Sequence, residues 1–475
     1  MREYELIIDK ALTVGLSSGR EIPSGNEELW IAKGFRVGKN VLEGYEVSND
    51  DPLAGRVDLL YSWPFPQFIQ GERYNFLVVR DSVVNFEDKV YVIDDDYTVT
   101  WIFDCDVATF GTGTLMEVAD FGEYVIMVNG VIMIYWNAGV WHEVRSTVDI
   151  PMMRTMCNFK GQIVGGNVLG VWNAIALVYD DWHDCDETSY IWSKIGEAVF
   201  TPDRGNVSGY RRDPYGGEVY HTKRLGDGVI GYSSKGVVLM TPVSEPAATF
   251  AFIELSDVGL LNQGAMDGNL DRHVYVGADL ILREITKEGI KELGYYRYME
   301  NVEGGEDVIV KYDRRMKDFY IGNDEETYLL SPYGLTEVPQ HPSAIWVIPP
   351  WDDDESNMLP NTVDDYEPTI ASGILDMGYR GQKTVFSVET DALLVLEPEA
   401  AIWWMESYDV GGDTGYVPIN DQGIAAIICA GSDLAVSIKF KVIASVLRLN
   451  YIKIRYKMTD LRGIRGVYAP PLRGQ

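Results

Sequence analysis

The sequence is poor in the residues that most often build catalytic and metal centres. Its 475 residues include only five histidines and four cysteines. The cysteines form no CxxC pair and match no zinc spacing, so we expect reduced thiols. HExxH and the phosphate-binding loop are missing from the sequence, and no dinucleotide pattern falls at an expected strand–helix junction. These absences predict a protein that is not an enzyme and needs no cofactor and no metal.

Long apolar runs are missing as well. No stretch reaches the roughly 18 uncharged apolar residues that a membrane-spanning helix requires, so we expect no membrane insertion. The opening residues, Met1 to Leu6, lack the apolar core of a signal peptide, which favours synthesis in the cytoplasm. Long amphipathic helical patterns are also hard to find.

Basic residues are outnumbered by acidic ones. Forty Lys and Arg face 72 Asp and Glu, which gives a net charge of −32. A chain this acidic should repel phosphates, so we expect no broad nucleic-acid footprint. The bases are also unevenly placed. From Ile438 to Gln475 the net charge is +8, and the rest of the chain therefore carries −40. This asymmetry indicates that the basic part meets an acidic partner, such as a neighbouring copy.

What the sequence does contain is a repeat. Short apolar strands followed by a polar turn and a return strand recur at intervals of 35 to 45 residues, with one interval of 67. The six first strands are Val90–Asp94, Val125–Asn129, Ile163–Asn167, Ile230–Ser234, Val274–Ala278 and Phe319–Asn323. A four-stranded propeller blade takes about 40–50 residues, so the spacing predicts one blade per repeat. The competing fold is a row of β-sandwich domains.

The fold expected is therefore all-β, with a six- or seven-bladed β-propeller. The long interval contains residues 180–220, which we expect to hold either another blade or an inserted loop. Composition then divides the chain. We expect arm-like strands over 1–59, the propeller over 60–338, a Pro- and Asp-rich linker over 339–370, a C-terminal β-sandwich-like domain over 371–460 and an extended arm over 461–475. The N-terminal strands could close the propeller ring or form an arm over a neighbouring copy. We expect residues 1–55 and 461–475 to be ordered mainly by contact with neighbouring subunits.

Two groups of side chains are candidate sites. An acidic loop could ligate a metal, although the more favoured interpretation is a solvated loop at a blade edge. Its candidate ligands are Asp180, Asp181, His183, Asp184 and Asp186. Aromatic pairs, Trp403–Trp404 and Trp346 with Trp351, could form a sugar-binding surface, but core packing is favoured.

Several short motifs resemble the propeller-bearing virion proteins of tailed bacteriophages, such as the packaged-DNA stabilisation (tail hub) and tail nozzle proteins of short-tailed phages. They include Asn158–Asn167, Ile191–Gly196, Phe200–Asp203, Asn206–Tyr210, Leu225–Asp227, Tyr232–Gly236, Tyr312–Arg315 and Phe319–Asn323. The resemblance implies a structural role in the neck or tail of a virion made in the host cytoplasm. It implies an oligomeric ring or tube that retains packaged DNA and lets it pass without specific binding, beside portal, adaptor or other tail proteins. The alternative is a propeller that binds or hydrolyses host-surface glycans.

The basic strand and the segment after it are the candidate subunit interface. We expect five cations to turn toward an acidic surface on a neighbouring copy, and they are Lys453, Arg455, Lys457, Arg462 and Arg465. A plain solvated strand face is the alternative, because exposed ion pairs contribute little singly.

Overall fold

A computed structural model describes most of the chain. The described residues are 3–19, 25–45, 61–69, 72–81, 87–93, 99–105, 117–121, 124–130, 133–137, 140–144, 147–173, 175–176, 178–203, 207–243, 250–303, 308–313, 316–323, 326–339, 367–375, 377, 381–391, 397–407, 410–441 and 448–459. No helix among these residues is long and apolar enough to cross a membrane.

The chain opens with short elements that are far from arm-like. They are β1 (Glu3–Ile8), α1 (Lys10–Val14), β2 (Leu29–Lys33), β3 (Phe35–Gly38) and β4 (Val41–Gly44). Leu12, Leu29, Phe35 and Leu42 are fully buried in the largest core cluster of the molecule. These residues therefore belong to the folded body.

The first three blades follow in chain order, each a four-stranded antiparallel sheet. Blade 1 contains β5 (Tyr61–Ile69), β6 (Glu72–Asp81), β7 (Glu87–Ile93) and β8 (Val99–Cys105). Blade 2 contains β9 (Glu117–Asp120), β10 (Val125–Val128), β11 (Met133–Asn137) and β12 (Val140–Val144). Blade 3 contains β13 (Met152–Phe159), β14 (Gln162–Asn173), β16 (Ser189–Trp192) and β17 (Gly209–Arg212), with β15 (Val178–Asp180) paired to the far part of β14.

Two more four-stranded sheets form blades 4 and 5, and blade 6 is the first part of a ten-stranded sheet that continues through β2. Blade 4 contains β18 (Val219–Leu225), β19 (Gly228–Ser233), β20 (Val237–Pro242) and β21 (Phe250–Ser256). Blade 5 contains β22 (Met266–Gly268), β23 (Arg272–Val276), β24 (Leu282–Thr286) and β25 (Gly289–Gly294), followed by α2 (Tyr296–Glu303). Blade 6 contains β26 (Ile309–Tyr312), β27 (Phe319–Gly322), β28 (Thr327–Leu330) and β29 (Leu335–Val338).

The described residues thus form a β-propeller with six blades, and the predicted fold class is confirmed. Each of the six repeated strands lies in a different blade; five become the second strand of a blade, and Val90–Asp94 falls in the third. Residues 180–220 are neither a seventh blade nor a simple insertion. Because β14 first pairs with β15, the chain returns late to pair Val164–Gly166 with β16, and the interval holds the outer half of blade 3.

The C-terminal strands form the expected β-sandwich-like domain. They are β30 (Thr369–Ser372), β31 (Lys383–Thr390), β32 (Glu399–Ser407), β33 (Val410–Asp413), β34 (Val417–Pro418), β35 (Ile424–Ala425), β36 (Cys429–Gly431), β37 (Asp433–Lys439), β38 (Arg448–Leu449) and β39 (Ile452–Met458). One sheet contains β1, β39, β31, β35 and β36. The other, β2–β30–β37–β32–β33 with β34, is continuous with blade 6 through the pairing of β2 with β29. Buried residues of both sheets, such as Val388, Ile454, Ile402 and Val436, share one core cluster.

The expectation of an N-terminal arm is wrong for the described residues up to 45. Strand β1 pairs with β39 along its whole length, and β4 pairs with β38. Strand β2 pairs with β30 and, at Lys33, with β29 of blade 6. Arg36 adds a clamp, since its Nε lies 2.5 Å from the buried Asp318 carboxylate at the start of β27. In the sequence, the apolar residues of this segment look too few to form a core of their own. They are buried because they pack against strands that are distant in the chain. Residues 340–366 of the predicted linker and the predicted arm over 461–475 lie outside the described residues.

Candidate functional site

The inner strands of the propeller carry charged side chains. The first strands of successive blades pack against one another, as β9 does against β13, β13 against β18, and β22 against β26. In a propeller such strands surround the central axis. Glu117, His221, Lys223, Asp267 and Lys311 come from β9, β18, β22 and β26 and form two linked groups there, which we call the axial network.

Glu117 connects three blades. One carboxylate oxygen accepts hydrogen bonds from Thr155 Oγ1 at 2.7 Å and from the Met156 backbone N–H at 3.1 Å, both in blade 3. The other oxygen lies 2.5 Å from His221 Nδ1 in blade 4. Glu117 and Thr155 are buried. A buried carboxylate needs such donors, because desolvation without them is costly.

Asp267 connects blades 4, 5 and 6. It pairs with Lys223 Nζ and accepts the Tyr312 backbone N–H at 2.8 Å and the Gly268 N–H at 2.8 Å. Burial would raise the pKa of Asp267, but the ammonium groups of Lys223 and Lys311 outweigh it and hold that pKa well below its usual range. Burial also lowers the pKa of Lys311 to about 8, although Asp267 opposes the shift.

A buried histidine lies next to the axial network, in the second strand of blade 5. His273 in β23 is fully buried, with Nδ1 3.0 Å from Tyr232 Oη and Nε2 3.1 Å from the Arg224 carbonyl oxygen. The carbonyl can only accept, so Nε2 carries the proton and Nδ1 accepts from Tyr232. Burial lowers the pKa of His273 to about 3, and the nearby Lys223 charge adds to that effect. The imidazole is therefore neutral at neutral pH.

The polar atoms of this arrangement are engaged by the protein itself. The Thr155 hydroxyl is fully buried, so it cannot attack a substrate arriving from solvent. Both axial carboxylates already accept several hydrogen bonds from the protein, which occupies the oxygens that a general base or a metal would use. The axial network fastens blades 2 to 6 together across the inner strands.

The predicted metal loop is held by its own polar contacts. Asp186 accepts hydrogen bonds from Thr188 N at 3.0 Å and Oγ1 at 2.6 Å, and it pairs with Arg212 at 3.3 Å. Although burial opposes it, these donors lower the pKa of Asp186. Asp180 accepts from Asn173 Nδ2 at 3.0 Å. Asp181 is exposed.

The other two residues of the loop form its turn. His183 and Asp184 take positive φ angles of 49° and 56°, and the His183 ring stacks on Tyr210 with centroids 5.9 Å apart. Across the parts of the chain that the structure describes, no three His, Cys, Asp or Glu side chains come together as metal ligands. The loop therefore closes as a polar turn at the outer edge of blade 3.

The basic strand finds its acidic partner within the same chain. Lys453 lies 2.8 Å from Glu389 on β31, and Arg455 lies 3.1 Å from the same carboxylate. Lys457 lies 3.0 Å from Glu3 on β1. These three cations thus have acidic partners on β31 and β1 of the same chain. The subunit interface expected at this face stays a prediction. Arg462 and Arg465 lie outside the described residues.

The paired tryptophans are not simple core residues. Trp403 and Trp404 are half-buried and line a cavity of about 350 Å³ together with Trp30 of β2. Trp403 meets Trp30 edge to face, with ring centroids 5.4 Å apart. Trp346 and Trp351 lie outside the described residues.

The sequence contained a signal for the axial network that its motifs did not reveal. In β18, the polar run His221–Arg224 precedes the strongly apolar Val229–Tyr232. The first strand of each blade lies nearest the axis, so charges at those positions are expected to meet. Assigning Glu117 to His221 still required the closed arrangement of the blades.

Comparisons with known proteins add no function. No family model and no curated protein matches the sequence. Among solved structures, the chain is similar to Hsv2 of Kluyveromyces lactis, with 10% identity over 60% of this chain and 83% of that one, and a TM-score of 0.32. It is also similar to an exo-β-1,3-galactanase of Phanerochaete chrysosporium, with 9% identity over 94% of this chain and 99% of that one, and a TM-score of 0.28. Neither description names a phage protein, and likeness at this level says nothing of what the chain binds.

Proposed function

We propose that this chain is a structural component of a bacteriophage neck or short tail. Copies would assemble into a ring or tube beside portal, adaptor or other tail proteins, and packaged DNA would pass without specific binding. The virion setting rests on the short motifs that resemble tail hub and nozzle proteins. An assembly role is supported by one structural feature, an exposed apolar hairpin on blade 3.

That hairpin is formed by the far part of β14 and by β15. Trp172 pairs with Tyr179 and Asn173 with Val178 across it. Its apolar side chains face solvent: Ile175 is 97% exposed, Val178 51% and Trp172 41%. Trp172 and Val178 lie on opposite faces of the hairpin, since they belong to successive cross-strand pairs. An element that exposes apolar side chains on both faces is typical of a segment that another protein covers. We therefore assign this hairpin as a contact between subunits or with a neighbouring tail protein.

The test is a double substitution, Trp172→Ala with Ile175→Asp. We expect the wild-type chain to form oligomers in sedimentation velocity and the variant to remain monomeric with an unchanged circular dichroism spectrum. Ile428→Asp is the matched control, since Ile428 is 82% exposed in the sandwich domain and should not matter. Normal assembly of the double variant, or its normal entry into particles, would contradict the proposal.

The alternative is a propeller that binds or hydrolyses host-surface glycans. Glycoside hydrolysis uses two carboxyl groups that flank the scissile bond. The axial carboxylates Glu117 and Asp267 are instead engaged by donors from neighbouring blades. Incubation with host-surface polysaccharide and detection of reducing ends separates the two functions, because a structural protein should release none.

A further inference from the structure

The cavity beside Trp403 lies on the outer face of the sandwich sheet that contains β32. Trp403 pairs with Asp413 on β33 and with Ala435 on β37, so these three side chains point to the same face. Side chains alternate along a strand, which puts Asp433 on this face too. Trp404 points the other way, where it packs against the main core cluster. On the outer face the cavity, of about 350 Å³, is lined by Trp403, Asp413, Asp433 and Ala435.

Trp30 of β2 adds a second aromatic wall to the same cavity. Its ring meets that of Trp403 with centroids 5.4 Å apart and an angle of 83° between the ring planes. The two indoles therefore form a corner and not a flat platform. A sugar ring stacks on one aromatic face, whereas a compact group can contact two faces that stand at a right angle. The volume is at the lower end of the range of about 300–1,000 Å³ for small-molecule sites, which also favours a compact ligand.

Two carboxylates give the cavity its charge. Among the described residues, Asp413 accepts a hydrogen bond from the Gly415 backbone N–H at 2.8 Å, and no cation pairs with Asp413 or Asp433. Aromatic faces attract cations because the electrostatic potential of the ring face is negative. Opposite charges also attract more strongly where apolar walls exclude water. The rings and the carboxylates thus favour the same kind of ligand, a compact organic cation.

One of the two rings already carries a cation. The Arg297 Cζ atom of α2 lies 5.5 Å from the Trp30 ring centroid. Arg297 is not among the residues that line the cavity. Its guanidinium shows that the Trp30 ring accepts a positive charge, and this single charge does not offset two carboxylates.

We propose that this cavity binds a quaternary ammonium group such as that of choline, with Trp30 and Trp403 against its methyl groups and Asp413 and Asp433 opposing its charge. A primary ammonium is strongly hydrated and needs hydrogen-bond acceptors at fixed positions. A quaternary ammonium has no N–H group, so ring faces and nearby negative charge are enough to hold it. The site is independent of the proposed virion role, since a single chain contains all of its walls.

Calorimetric titration of the full-length chain with choline chloride tests the site. The matched ligand is dimethylbutanol, the neutral analogue in which a carbon replaces the charged nitrogen, and all titrations are made at one ionic strength. Choline should bind at least about tenfold more tightly than this alcohol, as expected for a cation held against desolvated rings. Phosphocholine should bind more weakly than choline, because its phosphate would approach the two carboxylates.

Substitutions then locate the binding. Trp403→Ala should weaken choline binding at least about tenfold, and Trp403→Phe, which keeps an aromatic face, should retain part of it. Asp433→Asn should weaken the binding of choline and leave that of the alcohol unchanged, a difference that a folding defect would not produce. Trp172→Ala on blade 3 is the matched control, since it removes a tryptophan outside the cavity and should leave both affinities unchanged.

Several results would overturn the proposal. Equal affinity for choline and the alcohol would mean that the cavity has no preference for charge. Choline binding that survives Trp403→Ala would place the ligand elsewhere, and phosphocholine binding as tight as that of choline would remove the role of the carboxylates. Tighter binding of methyl glucoside than of choline would assign the cavity to sugars. Absence of choline binding by wild-type protein with a folded circular dichroism spectrum would also refute the site.

Discussion

At the scale of single residues, two carboxylates on the inner strands of the propeller connect neighbouring blades. Glu117 and Asp267 each accept hydrogen bonds from two neighbouring blades. Breaking a buried pair by removing one partner leaves the other charge without compensation, which costs more than the pair itself contributes. The charged side chains of the axial network therefore hold neighbouring blades together through hydrogen bonds and ion pairs.

The buried imidazole of His273 makes stability depend on pH. Its folded pKa is about 3, below the ordinary value of 6.5, so the unfolded chain binds more protons between these values. Its contribution to stability is complete above pH 6.5 and is lost as the pH falls toward 3. The free energy of unfolding should decline by up to about 1.4 kcal/mol per pH unit from this group.

The measurement is urea unfolding from pH 7 to pH 4. His273→Gln, which can still bond to Tyr232 and the Arg224 carbonyl, should show a shallower loss of unfolding free energy than the wild type. His183→Gln, on the exposed loop of blade 3, is the matched control and should keep the wild-type slope. Parallel slopes for His273→Gln and the wild type would refute the assignment.

At the scale of elements, the ladder between β1 and β39 gives the basic strand acidic partners within its own chain. Glu3 lies opposite Lys457 and Glu5 opposite Arg455 in the register of the two strands. Composition reveals that residues 438–475 are basic, but it does not reveal that acids near residue 3 will lie beside them. The partner was nearly the whole chain length away, and only the closure of the sandwich brings it near.

A charge swap tests that ladder. Lys457→Glu places two acids opposite each other and should lower stability by about 1 kcal/mol at low salt, with less effect at high salt. Adding Glu3→Lys restores an opposite pair and should recover most of the melting temperature. Thermal melts of the two single variants and the double variant give the coupling energy. A double variant no more stable than the sum of the singles would show that the pair does not matter.

At the scale of the whole molecule, the sequence predicts the repeated strands of the blades better than it predicts which distant strands pair with each other. In five of the six blades the predicted strand is the second one, which is buried on both faces and is therefore strongly apolar in sequence, as in Val125–Val128. The role of the first 45 residues could not be predicted in this way. Strand β2 lies between blade 6 and the sandwich, and its partners begin at residues 335 and 369. Such long-range pairing leaves no local pattern.

Because β2 lies between β29 and β30, it couples blade 6 to the sandwich domain. Leu29 in β2 is fully buried in a core cluster that also contains Phe319 and Leu335 of blade 6 and Ile370 and Ile438 of the sandwich. Its backbone bonds to Gly15, and Leu16 bonds to Leu335. Removing the side chain should therefore loosen both domains at once, at a cost of about 2–5 kcal/mol.

Hydrogen exchange measures that coupling directly. In Leu29→Ala, amides of β27, β28, β37 and β32 should all exchange faster, while those of β10 and β14 stay protected. Met153→Ala is the matched control: Met153 is equally buried, but it lies in a separate core cluster of blades 2 and 3. That variant should loosen β10 and β14 and spare the sandwich strands. Faster exchange confined to the sandwich in Leu29→Ala would mean that β2 belongs to that domain alone and that blade 6 does not depend on it.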